Sequence, residues 1–296
     1  MSRTDVNKEE TYMLNFHTIY HPITARPFLS DHTYKEYLPG EPLRPYIACY
    51  WTTNEAGTEG TIRENLAKTA GREVLVIPDT CVDIILSVNH TKQTMTGMLC
   101  GIQDLPFTTV QGGETDVVTV FAIRFHFWAV HLFLNLEFQE TRNLHLDMDD
   151  LGKEWRSLFE PFFYLLTVKE RIARVEQFLY RKLADMELNS DLFQAVHNIL
   201  DSSGGVSVRG LCESCCVSPR KLERLFLGKI GLPPKKVATL VRYQNVWHNL
   251  VTDPQFDILD AVYRYGYTDQ SHLQKEFRRF HGTSPEEARK IAQSWR

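Results

Sequence analysis

The sequence has no apolar run that is long enough to cross a bilayer. Its densest apolar stretch, around Phe159 to Val168, is interrupted by Glu160 and Pro161 and is shorter than the ~20 residues that a membrane span needs. The N-terminal segment MSRTDVNKEE is charged, lacks the apolar core of a secretory signal and is predicted to be a flexible tail over residues 1–10. We therefore expect a cytoplasmic protein with no membrane partner.

Sequence patterns of the common enzyme classes are also missing. The chain has no glycine-rich phosphate loop, no serine nucleophile elbow and no paired-acid motif. Its six cysteines lack a secretory context, which favours free thiols over a disulfide framework. We predict no enzyme activity, no cofactor and no metal. The alternative is a bifunctional enzyme and regulator with a pocket or a reactive cysteine in its front half, where the candidates are Cys49, Cys81 and Cys100.

Charge is divided unevenly along the chain. Residues 191–296 contain 15 Lys and Arg against 11 Asp and Glu, whereas the whole chain contains 33 against 37. The rear third therefore carries a net charge of about +4 and the remainder about −8. A basic segment on an acidic body is typical of a nucleic-acid reader attached to a part that must not bind DNA. An ordinary folded domain can carry the same charge, so the assignment of a nucleic-acid-binding domain depends on the sequence motifs.

Hydrophobic periodicity predicts an α+β protein. Residues 11–148, the front domain, read as short strands, and Val117–Phe127 is the clearest because its odd positions are mostly large and apolar. The absence of a strand–helix repeat favours a barrel- or sandwich-like domain. Residues 149–190, the linking segment, have a helical period, and residues 191–296, the rear domain, are predicted to be all-helical.

The linking segment carries an apolar seam at helical spacing, formed by Ile172, Val175, Leu179 and Leu183. The seam either packs on its own domain or forms the contact of a homodimer. Ser190 or Asp191 is predicted to cap the first helix of the rear domain.

Two short helices of the rear domain are predicted to expose long polar side chains on one face. The first has Ser218 as a favourable N-cap and Pro219 at its first helical position. The second follows the turn at Gly266 and ends before Gly282. Such faces suit the base edges of a DNA major groove, and the base-reading candidates are Arg220, Glu223, Arg224, Gln270, Ser271, Gln274 and Lys275.

A supporting helix is predicted before each of these two helices, at Val208 to Cys215 and at Asp257 to Tyr265. Pro233 to Leu250 reads as one connecting helix of roughly 27 Å, close to the spacing of about 34 Å between successive major grooves on one face of a duplex. The pattern predicts two helix-turn-helix units in one chain. Phosphate contacts are expected from Arg242, Arg278 and Arg279.

A set of residues at fixed offsets runs through the rear domain. It comprises Val217-Ser218-Pro219, Leu222-x-x-Leu225-Phe226, Gly231-x-Pro233, Arg242, Ile258, Tyr265-Gly266-Tyr267-x-Asp269-Gln270-Ser271-His272, Phe277-Arg278-Arg279-Phe280 and Gly282-x-Ser284-Pro285. With these residues the domain resembles the DNA-binding domain of AraC-family transcriptional regulators. The resemblance implies sequence-specific binding of double-stranded DNA.

Three positions of the rear domain depart from that family pattern. Cys216 stands where the first turn usually has a small residue, often glycine, and Glu223 is acidic on a surface expected to face DNA. Ala261-Val262 reverses the usual large-then-small pair of the second supporting helix. The first unit is therefore expected to read DNA less strongly than the second.

The front domain resembles that of a poorly characterised AraC-type subgroup. The residues are Tyr34-x-x-Tyr37-Leu38-Pro39, Leu43-x-Pro45-Tyr46-Ile47-x-x-Tyr50-Trp51 and Pro78-Asp79-x-Cys81-Val82-Asp83-Ile84, with Thr80 in place of the usual turn glycine. This resemblance implies a sensor or regulatory module and brings no ligand with it. We expect the module to respond to an unidentified small-molecule effector. Candidate pocket residues are Arg124, His126 and Trp51, because Arg124 and His126 share one strand face. A dimeric regulator that needs no effector is the alternative.

Overall fold

A computed structural model of the chain describes residues 16–23, 34–53, 72–111, 116–165, 167–184 and 186–294. The predicted tail at residues 1–10 lies outside this range. Strands occupy the front domain and helices the rear domain, which confirms the predicted α+β class. In the part of the chain that the structure describes, no helix is both long and apolar enough to span a bilayer.

Eight strands are described in the front domain: β1 Lys35–Tyr37, β2 Ile47–Thr53, β3 Arg72–Val76, β4 Cys81–Asn89, β5 Thr94–Cys100, β6 Phe107–Gln111, β7 Val118–His126 and β8 His145–Asp147. Six form an antiparallel sheet in the order β1-β2-β7-β4-β5-β8, and β3 pairs with β6 in a second sheet. The predicted strand at residues 117–127 is β7, at the centre of the larger sheet.

One face of the larger sheet is covered by the linking segment. This segment forms helix α1, Lys153–Phe159, a 3-10 turn at Glu160–Phe163 and helix α2, Val168–Leu183. Phe121 of β7 meets Phe162 edge to face with 5.4 Å between ring centroids. Val175 and Leu179 of the seam are fully buried, so the seam packs within the chain rather than offering these residues to a dimer partner.

Seven helices are described in the rear domain: α3 Ser190–Asp201, α4 Val208–Cys215, α5 Pro219–Ile230, α6 Pro234–Thr252, α7 Ile258–Arg264, α8 Gln270–His281 and α9 Pro285–Ser294. The cap of α3 differs from the prediction, because Asn189 takes that place instead of Ser190 or Asp191. Asn189 has an extended backbone, and its side chain accepts a 3.0 Å hydrogen bond from Leu192 N.

Two turns keep a left-handed backbone although they lack glycine. Cys216, which follows α4, has φ 53°, and Thr80, which precedes β4, has φ 61°. The turn at Thr80 is held by a 2.9 Å hydrogen bond between its hydroxyl and that of Tyr20. Both family departures noted in the sequence therefore preserve the turn, at the steric cost that a Cβ has in this conformation.

The front domain packs directly on α5. Residues 138–140 form a 3-10 turn against this helix, and a Cβ on Gly231 would stand 2.6 Å from the carbonyl oxygen of Phe138. Phe16 lies between the two domains, since its ring centroid is 5.3 Å from that of Trp128 and 6.3 Å from that of Phe193 on α3. The position of α5 is thus set partly by the front domain.

The middle of the rear domain is joined to the front domain by polar contacts of α6. Lys236 Nζ lies 3.0 Å from Asp104 Oδ2. Gln244 is buried, accepts a 2.9 Å hydrogen bond from Ile23 N and donates one to the carbonyl oxygen of Pro78. These contacts connect the helix between the two helix-turn-helix units to the turn that precedes β4 and to the segment between β5 and β6.

Candidate nucleic-acid interface

The first candidate reading helix, α5, has a buried inner stripe and a polar outer face. Ser218 caps it by accepting a 3.3 Å hydrogen bond from Lys221 N, and Pro219 occupies the first position. Its inner stripe is formed by Leu222, Phe226 and Ile230, which are almost fully buried. Its base-reading candidates are all exposed: Arg220, Glu223 and Arg224. The helix therefore leaves these three side chains free to approach a partner.

The second candidate reading helix, α8, is built in the same way. Asp269 caps it by accepting a 2.8 Å hydrogen bond from His272 N. Its inner stripe is Leu273, Phe277 and Phe280, all buried. On the outer side Gln270, Ser271 and Lys275 are exposed and Gln274 is half-buried.

Helix α6 connects the two units and carries much of their shared core. Its 19 residues span about 28 Å at about 1.5 Å per residue. Trp247 is fully buried and contacts Phe277 with 6.2 Å between ring centroids, while Tyr243 contacts Phe280 at 5.1 Å. Aromatic packing on one side of α6 thus holds α8 against it.

The three predicted phosphate contacts lie in different environments. Arg278 and Arg279 are exposed on α8 and stay candidates for phosphate contacts. Arg242 needs a correction, because its Nε lies 3.0 Å from Glu276 Oε1 and its Nη2 lies 2.5 Å from Glu276 Oε2. Its guanidinium also stacks 4.2 Å from the ring centroid of Tyr267. The structure therefore gives Arg242 an internal role, joining α6 to α8.

Family models match both domains of the chain. A model described as a helix-turn-helix domain matches residues 211–291, which run from α4 to α9. A model described as a domain of unknown function, DUF6597, matches residues 35–147. The chain therefore contains a helix-turn-helix domain at its rear and a DUF6597 domain at its front. No curated protein matches its sequence.

Some solved structures match this chain at low similarity. The xylR structure, described as a xylose-binding transcription activator, is 16% identical with a TM-score of 0.32, and the match covers 41% of this chain and 38% of that one. ToxT from Vibrio cholerae O395 is 10% identical with a TM-score of 0.40, covering 76% and 95%. Wild-type ToxT from Vibrio cholerae strain SCE256, bound to an unsaturated fatty acid, is 11% identical with a TM-score of 0.38, covering 75% and 92%. Similarity at this level carries no argument about function.

The front-domain pocket candidates lie on the sheet face opposite α1 and α2. The prediction of an open anion pocket at Arg124 needs a correction, since this guanidinium is buried and bound to Asp83, with Nη2 2.7 Å from Oδ2. The indole Nε1 of Trp51 donates to the same carboxylate at 3.0 Å. His126 is buried and stacks on Trp128 at 4.4 Å, and burial lowers its pKa to about 3, so the ring is neutral.

The front-domain thiols lie around that ion pair. Cys49 and Asp83 are both register partners of Arg124, and Cys100 is the register partner of Asp83 on its other side. Burial raises the pKa of Cys49 and of Cys81 well above the usual range, and it raises that of Cys100 to about 12. Because the thiolate is the nucleophile, this environment disfavours the reactive-cysteine alternative.

The sequence did not identify Glu276 or Gln244 as functional residues. Glu276 holds Arg242, and Gln244 links α6 to the front domain. The signal for Gln244 was its place on the apolar side of α6, because it lies at helical spacing from the buried residues Leu240 and Trp247. A polar residue on such a helix must find a buried partner.

Proposed function

We propose that this protein is a transcriptional regulator that recognises a specific double-stranded DNA sequence through α5 and α8. The observation that carries the proposal is the paired construction of these helices, each with a side-chain N-cap, a buried apolar stripe and an outer face of long polar side chains. Two such helices joined by one connecting helix suit two successive major grooves.

Within this proposal the exposed cations have two kinds of role. Arg220, Arg224 and Lys275 contact base edges, since Arg and Lys pair with guanine O6 and N7 in the major groove. Arg278 and Arg279 contact phosphates and place the protein without reading sequence. Glu223 either accepts from a cytosine amino group or balances the charge of the neighbouring Arg220 and Arg224.

We also propose that the front domain regulates DNA binding in response to a small-molecule effector. Support comes from its contacts with the rear domain, namely Phe138 at the end of α5, Asp104 with Lys236, and Pro78 with Gln244. A change in the front domain that moves these contacts alters the orientation of α5 or α6, and hence the spacing of the two reading helices.

Selection of bound duplexes from a random pool by the full-length protein tests DNA recognition. We expect enrichment of one sequence with two short motifs about one helical turn apart. The double variant Arg224→Ala/Lys275→Ala is the control, and it should lose the enrichment while keeping weak binding to bulk DNA. Enrichment of no sequence by the wild-type protein would contradict the proposal.

A further inference from the structure

A groove of about 940 Å³ lies where the front domain, the linking segment and the rear domain meet. Its walls come from α1, α2, the 3-10 turn Val130–Leu132, residues 186–189 and the last turn of α5. The volume falls within the range of roughly 300–1,000 Å³ that is usual for small-molecule sites. The groove shares no lining residue with the sheet face that holds Arg124, so it is a separate site.

Positive charge dominates the polar wall of this groove. Four cations line it, Arg174, Arg181, Lys182 and Lys229, against two carboxylates, Glu154 and Glu187. Lys182 is neutralised, because its Nζ lies 2.7 Å from Glu154 Oε2. Among the residues that the structure describes, no carboxylate lies within ion-pairing distance of the other three cations.

The two arginines use only part of their hydrogen-bonding capacity. Arg174 donates from Nε to Leu158 O at 2.9 Å and from Nη2 to Ser157 O at 3.2 Å. Arg181 donates from Nε to Gln177 O at 3.2 Å. A guanidinium has five N–H donors, so most of these donors remain for a ligand.

The groove also has an apolar part. It is formed by Leu132, Leu158, Phe178, Met186 and Leu188. Apolar lining with a few polar groups that fix orientation is the usual composition of a site for an organic molecule. Guanidinium and ammonium groups together select phosphate or carboxylate groups on that molecule.

We propose that this groove binds a small organic anion that carries at least two phosphate or carboxylate charges. Arg181 belongs to the linking segment, whereas Lys229 belongs to α5 of the rear domain. An anion held by both side chains attaches a DNA-reading helix to the regulatory part of the chain. This consequence for DNA rests on the proposed function, whereas the binding site itself does not.

Calorimetric titration of the full-length protein without DNA tests the site. The probes are inorganic pyrophosphate and citrate, in buffers whose ionic strength is held constant with sodium chloride. We expect at least one probe to bind with one-to-one stoichiometry, and the probe that binds identifies phosphate or carboxylate as the preferred group. Binding of neither probe would overturn the proposal.

Charge-removing variants locate that binding. The double variant Arg181→Gln/Lys229→Gln changes two exposed side chains. It is expected to weaken the binding of the preferred probe at least tenfold. Lys169→Gln, an exposed cation on α2 outside the groove, is the matched control and should bind as the wild type does. An equal loss in the control would show nonspecific attraction and overturn the site.

Probe binding and DNA selection, both measured on the wild-type protein, separate this inference from the proposed function. Retained probe binding in a protein that selects no DNA sequence would contradict the proposed function and support the groove. Selective DNA binding without any probe binding would support the proposed function and overturn the proposed groove site.

Discussion

Arg242 and Glu276 form a two-point ion pair that joins the connecting helix α6 to the second candidate reading helix α8. Both side chains are largely buried, with 14% and 10% of their surfaces exposed. The guanidinium also stacks on Tyr267, in the turn between α7 and α8. The orientation of α8 relative to α6 therefore depends on an interaction between residues 34 positions apart.

Replacing Arg242 with Met is expected to destabilise the protein by about 2–4 kcal/mol, because it leaves the Glu276 carboxylate buried without its partner. Urea unfolding measures this loss. The control is Arg209→Met, which breaks the exposed pair between Arg209 and Glu213 and should cost less than about 1 kcal/mol. An equal cost for the two variants would show that the Arg242 pair has no special structural role.

Arg224→Ala and Lys275→Ala are each expected to weaken binding to the selected sequence by about 1–3 kcal/mol, because each removes a base contact that the proposed function assigns to it. Arg278→Ala should instead weaken binding to all duplexes evenly and reduce the salt dependence of that binding. Fluorescence anisotropy with the selected duplex and a scrambled duplex measures both effects. Equal losses on the two duplexes for Arg224→Ala or Lys275→Ala would refute base reading at that position.

Gly231→Ala is expected to loosen the contact between the front domain and α5, because its new Cβ would meet the carbonyl oxygen of Phe138 at 2.6 Å. Gly266→Ala is the matched control, since Gly266 also has a positive φ, 67°, but no atom within 4 Å of its Cβ position. Both variants carry backbone strain, so only their difference reports the interface. The unfolding temperature should fall further for Gly231→Ala than for Gly266→Ala, and the rate of hydrogen exchange should rise at residues 138–140.

Acid is expected to weaken the contact between Asp104 and Lys236. Burial alone raises the pKa of the Asp104 carboxyl, but hydrogen bonds from Asn143 and Lys236 and the charge of Lys236 lower it overall. A lowered pKa in the folded state stabilises the protein above the unfolded value of about 3.9, and this contribution is lost as pH falls below it. Unfolding between pH 7 and pH 3 measures the loss, which Asp104→Asn should remove. An unchanged pH profile in that variant would assign the acid sensitivity to other groups.

Local signals in the sequence predicted the elements and outer faces of the rear domain. Ser218 is the predicted cap of α5, and Asp269, which was not predicted as a cap, acts in the same way on α8. Each bond spans only three residues, and the apolar spacing within α5 and α8 depends on helix geometry alone. These features require no knowledge of the rest of the fold. They were therefore readable from one sequence.

Contacts between distant segments were not predictable in this way. Gln244 bonds to Pro78 across 166 positions, and Arg124 bonds to Asp83 across 41. The exposed appearance of Arg124 in the strand alternation was misleading, because the other face of the sheet is also buried at that position. Such partners are fixed by strand register and domain packing, which sequence periodicity does not specify.

The front-domain thiols are expected to react slowly with iodoacetamide at pH 7. Cys49 and Cys81 are buried, the half-buried Cys100 has a raised pKa, and burial keeps all three thiols protonated. Cys216 is exposed and is the internal positive control, since the reagent reaches it without unfolding. Peptide mapping by mass spectrometry over time should show early modification at Cys216 and late modification at the other three, and denaturant should abolish the difference. Fast modification of Cys49, Cys81 or Cys100 in the folded protein would restore the reactive-cysteine alternative, because burial without activation cannot produce it.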